Sequence, residues 1–206
     1  MEIGQGIIAN QKTHNNHMTA AQKQVAIIIV NWNGYADTIE CLDSLTRIDY
    51  AAYHIYVVDN GSTNGSLKKL NDAYGGHSCI TILDAKENLG FAGGNNFAIS
   101  EALKKHEPTF DYFLLLNNDT IVDPAFLSML VDAMEKDPHL GIVGPKTYFA
   151  GTKRFWFIGG EINWLKNKGS HLHYDEEDHG QFDAQKTIPV DFVSGCALMI
   201  RRSVIE

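Results

Sequence analysis

Val25 to Val30 is an unbroken, largely β-branched apolar run that stops at the polar turn Asn31-Trp32-Asn33-Gly34, and its length suits a buried strand better than an independent helix. Apolar residues then recur at helical spacing at Ile39, Leu42, Leu45 and Ile48, before a second strand-like run from Ile55 to Val58. The unit repeats with a helix carrying Leu67, Leu70 and Tyr74, a strand at Ile80 to Leu83, a helix from about Gly94 to Lys105, and a strand at Tyr112 to Leu116. Asp123-Pro124 reads as a helix start, with Asp as N-cap and Pro in the first helical position, ahead of Leu127, Leu130, Val131 and Met134. Gly141-Ile142-Val143 closes the series as a fifth strand. This alternation predicts right-handed βαβ crossovers and a mostly parallel sheet covered on both faces, a three-layer α/β/α sandwich.

Beyond about Pro145 the period changes. Phe155-Trp156-Phe157-Ile158 and Glu161-Ile162-Asn163-Trp164, joined by Gly159-Gly160, predict a hairpin or a pair of short strands. Residues 166–186 are polar and acidic and predict a long surface loop, whose His171, His173 and His179 beside Asp175 to Asp178 match no metal-ligand spacing and are expected to be solvated. Pro189 to Ile200 is a strand-like run interrupted at Ser194-Gly195; no helix is expected after it, and the ending at Arg201 to Glu206 gives the expectation of a C-terminally truncated domain. At the other end, residues 1–24 lack the charged and apolar regions of a secretory signal. They are expected to be a flexible leader or an appended remnant, with His14 and His17 solvated rather than metal-bound.

Composition narrows the partners. The 206 residues suffice for one sizeable core or for one domain plus part of another. No apolar run approaches the roughly 18 residues that span a bilayer, so a water-soluble chain is expected. A formal net charge of -8 disfavours nucleic acid as a partner. Cys41, Cys79 and Cys196 are odd in number and widely spaced, which points to buried thiols in a reducing, cytoplasmic compartment.

Three polar turns follow predicted strands, and so converge on the sheet edge where open α/β folds bind nucleotide-type ligands. Asp59-Asn60-Gly61-Ser62 offers a carboxylate for a base or ribose, a glycine for close backbone approach and a hydroxyl; an Asx turn capping the next helix is the plainer alternative. Asn88-Leu89-Gly90-Phe91-Ala92-Gly93-Gly94-Asn95-Asn96 offers backbone donors and a following helix N-terminus for an anion or a sugar nucleotide. Asn117-Asn118-Asp119-Thr120 places Asp119 as a single carboxylate able to share Mg²⁺ or Mn²⁺ with a diphosphate, against a simple turn or N-cap role.

With Asn31-Trp32-Asn33 on the first strand and Phe192-Val193-Ser194-Gly195-Cys196-Ala197-Leu198-Met199-Ile200-Arg201-Arg202 near the end, these motifs appear in an order that resembles the family 2 glycosyltransferases of GT-A fold, in their rhamnosyltransferase-like branch. The resemblance spans Val25 to Arg202 and implies a nucleotide-sugar-binding half over residues 25–148 and the start of an incomplete acceptor-side half over 149–206. It further implies inverting transfer of a sugar, rhamnose from a dTDP carrier as first choice, to a hydroxyl of a glycan or lipid-linked acceptor in cell-surface polysaccharide synthesis. By the same resemblance Asp59 contacts the donor nucleotide and Asn31 and Asn33 border the base pocket. Asn88, Gly90, Gly93 and Asn95 close over the nucleoside, while Gly61, Ser62 and Asn118 complete the donor set. Asp119 matches the metal-bearing last position of the family's D-x-D-like motif, although Asn117 stands where its first acid belongs. The family's catalytic base lies in an acidic motif beyond the Gly195 to Arg202 segment and has no match here; Asp191 is a weak candidate, and Arg201 and Arg202 are candidates for a phosphate or an acceptor carboxylate. A lipid-linked acceptor would bring the chain to the inner face of the membrane as a peripheral protein. The rival readings are a nucleotidyltransferase, disfavoured because Asn31 to Gly34 is not a Gly-rich basic loop, and a non-catalytic nucleotide-sugar-binding module.

Overall fold

The computed structural model describes residues 2–3, 22–104, 109–183 and 187–206. In chain order the strands are β1 (Glu2–Ile3), β2 (Val25–Asn31), β3 (Tyr53–Asp59), β4 (Ile80–Asp84), β5 (Tyr112–Asn117), β6 (Ile121–Val122), β7 (Ile142–Val143), β8 (Thr147–Tyr148), β9 (Phe155–Phe157), β10 (Gly160–Asn163), β11 (Lys168–His171) and β12 (Ala197–Arg201). The helices are α1 (Tyr35–Leu45), α2 (Ser66–Tyr74), α3 (Gly90–Leu103), α4 (Phe126–Lys136) and α5 (Arg202–Ile205).

The main sheet has the order β4-β3-β2-β5-β12-β7. Its first four strands are parallel, while β12 runs antiparallel to both β5 and β7. Alternate residues of β2 show why its sequence is continuously apolar: Val25, Ile27 and Ile29 join the core under α1 and α4, whereas Ala26 and Ile28 join the core under α3. A strand buried on both faces has no solvent side to mark with polar residues. The result is the expected α/β/α sandwich with a mostly parallel centre.

Several local expectations are corrected. Ile142–Val143 does run parallel to the series, but β12 is inserted between it and β5. The helix expected from about Gly94 begins at Gly90, so Gly90, Gly93 and Gly94 belong to its first turns; Gly94 packs so closely that a Cβ there would lie 2.9 Å from Val30 Cγ1. Helix α4 starts at Phe126 rather than Pro124, although the Asp123 carboxylate still accepts the Ala125 N–H at 2.9 Å. Of the two forms expected over residues 155–164, the pair of short strands is present and the hairpin is not: β9 pairs with β8, and β10 pairs with β11.

That last pairing makes Lys168–His171, within the surface loop expected over residues 166–186, a strand; the other described residues of the stretch form turns and one isolated bridge, Arg154 to Glu177. Asp178 anchors the stretch that follows. Burial pushes its carboxyl up, but the Tyr148 hydroxyl, the Gly180 amide and the Lys146 ammonium, 3.1 Å away, outweigh it and hold the group below the usual carboxylate range. A short helix, α5, follows the last strand where none was expected. Of the expected leader, Glu2–Ile3 pairs with β6 and β8, and Lys23 donates to Asp111 at 3.1 Å; His14 and His17 lie outside the described residues.

Cys41 and Cys196 are buried and Cys79 half-buried. Burial pushes the Cys41 thiol up to about 12 and the Cys196 thiol up to about 11. Because the thiolate is the reactive form, alkylation at about pH 8 is expected to modify Cys79 well before the other two, as read by peptide mass mapping. Prompt labelling of Cys41 in the native chain would contradict the sealed α1–sheet interface.

Candidate functional site

Strand register brings the polar turns to one level. Asn31 ending β2 faces Asp59 ending β3, which faces Asp84 ending β4, and Asn117 of β5 lies opposite Val30. All four ends therefore open on the same sheet edge.

Asn31 is fully buried and acts as a clamp. Its amide donates to Asp59 Oδ2 at 3.0 Å and Ser62 Oγ at 3.2 Å, and its Oδ1 accepts from Gly34 N–H at 3.2 Å and Thr38 Oγ1 at 3.0 Å. With both donors and both lone pairs committed, Asn31 forms the floor beneath a site. Asp59, 1% exposed, accepts the Ser62 N–H at 3.0 Å through its other oxygen. Ser62 Oγ accepts the Asn33 N–H at 2.8 Å, and Asn33, in a left-handed conformation (φ 58), accepts the Thr63 N–H at 2.9 Å. The first two turns are thus laced together.

Asn60 was not singled out from sequence, yet it ties in the third turn. Its amide donates to Asn88 Oδ1 at 3.1 Å and Gly90 O at 3.2 Å, while its Oδ1 accepts the Leu89 N–H at 3.0 Å. The only available signal was its place directly after a strand-end carboxylate. Asn88 Oδ1 also accepts the Gly90 N–H at 2.8 Å, at the start of α3, and Asn95 donates back to Phe91 O at 2.8 Å. Gly93 packs on Leu89, where a Cβ would come within 2.8 Å of Leu89 Cβ.

On the other flank, Asn118 donates to Thr38 Oγ1 at 3.0 Å and Gly34 O at 3.4 Å, and Thr120 Oγ1 donates to Asn117 O at 2.8 Å. These bonds fix the turn that presents Asp119 at the surface. Trp32, at 57% exposure, and Phe91, at 55%, stand at this edge as unusually open aromatic surfaces. Asp84, also missed from sequence, is held below the usual carboxylate range by its hydrogen bonds to Lys86.

The remaining candidates serve the scaffold. Asp191 Oδ2 accepts the Ile162 N–H at 2.7 Å and so pins β10. Arg201 donates to Leu140 O at 3.0 Å and Met134 O at 2.7 Å, and Arg202 to Glu206 at 2.7 Å. Neither arginine is brought to the strand-end edge, because β12 carries both to the opposite end of β5, where Arg201 faces Tyr112.

The family model for glycosyl transferase family 2 matches residues 26–206. The chain belongs to that family.

Among curated relatives, this family 2 chain is 26% identical over 137 residues to an uncharacterized glycosyltransferase of Haemophilus influenzae, covering 66% of this chain and 41% of that protein. It is 28% identical over 109 residues to a poly-beta-1,6-N-acetyl-D-glucosamine synthase of Staphylococcus aureus, covering 52% of this chain and 25% of that one. The mannosyltransferase PcManGT of Pyrobaculum calidifontis, solved with GDP-Man and Mn²⁺, matches with TM-score 0.52 and 21% identity over 63% of this chain and 37% of its own. TarS 1-349 of S. aureus matches with TM-score 0.52 and 17% identity over 88% of this chain and 48% of its own. These structures share the GT-A fold; the family 2 chain spans less than half the length of each of these four proteins.

Whether the family 2 site suits a divalent cation follows from its donors. Among the described residues no cluster of three or more His, Cys, Asp or Glu side chains stands ready to hold a metal alone. Hard cations that keep several waters and bind through one carboxylate plus substrate phosphates need no such cluster. The four turns carry Asp59, Asp84, Glu87 and Asp119 against Lys86 alone. A diphosphate arriving there meets net negative charge, which a cation shared with Asp119 would neutralise, so the residues fit one.

Proposed function

We propose that this chain is the donor-binding part of an inverting glycosyltransferase that moves a sugar from a nucleoside diphosphate to a hydroxyl of a glycan or lipid-linked acceptor at the cytoplasmic face of a membrane. The carrying observation is the laced floor of Asn31, Asp59, Asn60 and Ser62 under an open edge flanked by Asp119. A dTDP-linked 6-deoxy sugar such as rhamnose remains the first choice of donor from motif resemblance. The GDP-Man of one structural neighbour makes GDP the comparison to test.

In this reading Asp59, Asn33 and Ser62 shape the nucleoside end of the site. The first turn of α3 carries no acidic residue, and a helix N-terminus favours negative charge. Asp119 would hold Mg²⁺ or Mn²⁺, and the ion would supply charge neutralisation for the departing diphosphate. An acceptor oxygen then attacks the anomeric carbon from the face opposite the diphosphate, its proton passing to a base and the bonding pair leaving with the diphosphate oxygen. With Asp191 engaged by β10, a non-catalytic nucleotide-sugar-binding module is the second reading for this stretch.

Calorimetric titration with dTDP, UDP and GDP, with and without Mn²⁺, tests the proposal. Selective, metal-dependent binding of one diphosphate is the expected result; absence of binding to all three would overturn it. The indole of Trp32 offers a flat surface on which a base can stack. Trp32→Ala is therefore expected to weaken that diphosphate by roughly tenfold without lowering the melting temperature. Unchanged affinity would remove Trp32 from the site.

A further inference from the structure

Strands β10 and β11 form a hairpin whose far end is Trp164-Leu165-Lys166-Asn167, closed by the facing pair Asn163 and Lys168. The tip has a defined conformation: Lys166 N–H donates to Asn163 O at 3.1 Å and Asn163 Oδ1 at 3.0 Å, and Asn167 is left-handed at φ 47. On it, Leu165 is 100% exposed and Trp164 is 76% exposed. The base of the hairpin is firmly seated. Phe192 lies so close over Gly160 that a Cβ there would be 2.1 Å from its ring, and the His171 ring stands edge-on to Phe157 and Trp156.

A well-anchored hairpin holding its two largest apolar side chains away from the core is a poor arrangement for a surface that meets only water. The local charge is informative too. The chain is net -8, yet residues 162–174 contain no Asp or Glu and place Lys166 and Lys168 directly beside Trp164 and Leu165. Glu161, the nearest acid in sequence on the N-terminal side, sits toward the hairpin base. Indole prefers the headgroup level of a bilayer, leucine the acyl boundary, and lysine reaches lipid phosphates while its stem stays apolar.

We propose that the β10–β11 tip is a membrane-contacting finger, with Trp164 and Leu165 entering the interface of an anionic bilayer and Lys166 and Lys168 on its phosphates. The inference goes beyond the donor-site reading and does not depend on it. Vesicles of phosphatidylcholine, alone or mixed with phosphatidylglycerol, should be sedimented with the chain, with a Trp164→Ala/Leu165→Ser variant, and with a Lys166→Gln/Lys168→Gln variant. The parent is expected to partition onto the mixed vesicles with a blue-shifted tryptophan emission. The apolar variant is expected to lose about tenfold or more in partitioning, and the lysine variant to lose the preference for anionic lipid.

Failure of the parent to bind either vesicle, or equal binding by the apolar variant, would overturn the proposal. Self-association of the parent that the apolar variant abolishes, without lipid binding, would instead assign the tip to a second copy. Nucleoside diphosphate titration of the same variants is expected to be unchanged, so failure here and failure of the donor-site reading are separable.

Discussion

Asp119→Ala is expected to abolish the Mn²⁺-dependent part of nucleoside diphosphate binding while leaving the fold intact. The residue is exposed, and Asn118 and Thr120 hydrogen-bond the turn that carries it. Near a protein surface two unit charges about 4 Å apart interact by about 4 kcal/mol, so a diphosphate arriving at this acidic edge is expected to depend strongly on a neutralising cation. Losing the carboxylate that shares it should lower affinity in Mn²⁺ buffer by roughly a hundredfold or more. Asp119→Asn should behave similarly, because an amide keeps the shape without the charge. If calorimetry finds both variants binding as the parent does in the same buffer, the metal assignment fails.

Gly61→Ala is expected to be the most destabilising single substitution in the strand-end turns. Gly61 sits at φ 72, and a Cβ there would lie 2.5 Å from the carbonyl carbon of Glu87 and 2.8 Å from Asn88 N. Left-handed backbone costs a non-glycine residue about 1–2 kcal/mol, and overpacking against backbone that cannot step aside adds roughly 1–3 kcal/mol. At about 2–4 °C per kcal/mol for a chain of this size, the melting temperature should fall by roughly 5–15 °C. Gly65 is the internal control: it is also left-handed, φ 82, but a Cβ there meets nothing within 4 Å. Gly65→Ala should therefore show the conformational cost alone. Equal melting temperatures for the two variants would mean that the Gly61–Glu87 contact is not rigid.

The contrast between these glycines also shows what was legible in the sequence. That both favour a turn could be read from their neighbours, but only one has another segment of backbone lying against it. Apolar runs in β2, β3 and β5 announced the sheet because burial on both faces leaves no other pattern. The same runs say nothing about which strand lies beside which, and so the insertion of β12 next to β5 was invisible. The start of α3 was misplaced because Gly90, Gly93 and Gly94 are poor helix formers; in the structure Asn60 and Asn88 accept the Leu89 and Gly90 N–H groups where the helix begins. Within the site, Asp59 and Asp119 stood out as carboxylates after strands. Asn60 did not, because its role lies in three hydrogen bonds to residues 88–90 that no local pattern encodes.

The place of β12 has a consequence for how the chain is made. Phe113 to Leu116 pairs with β2 on one side and with Ala197 to Ile200 on the other, so during synthesis one flank of this strand has no partner until some eighty residues later in the chain. An apolar strand with a bare edge is a template for pairing with another molecule. Nascent chains halted before Ala197 should therefore be the ones that chaperones retain or that precipitate, even though every residue of the proposed donor floor has already been built.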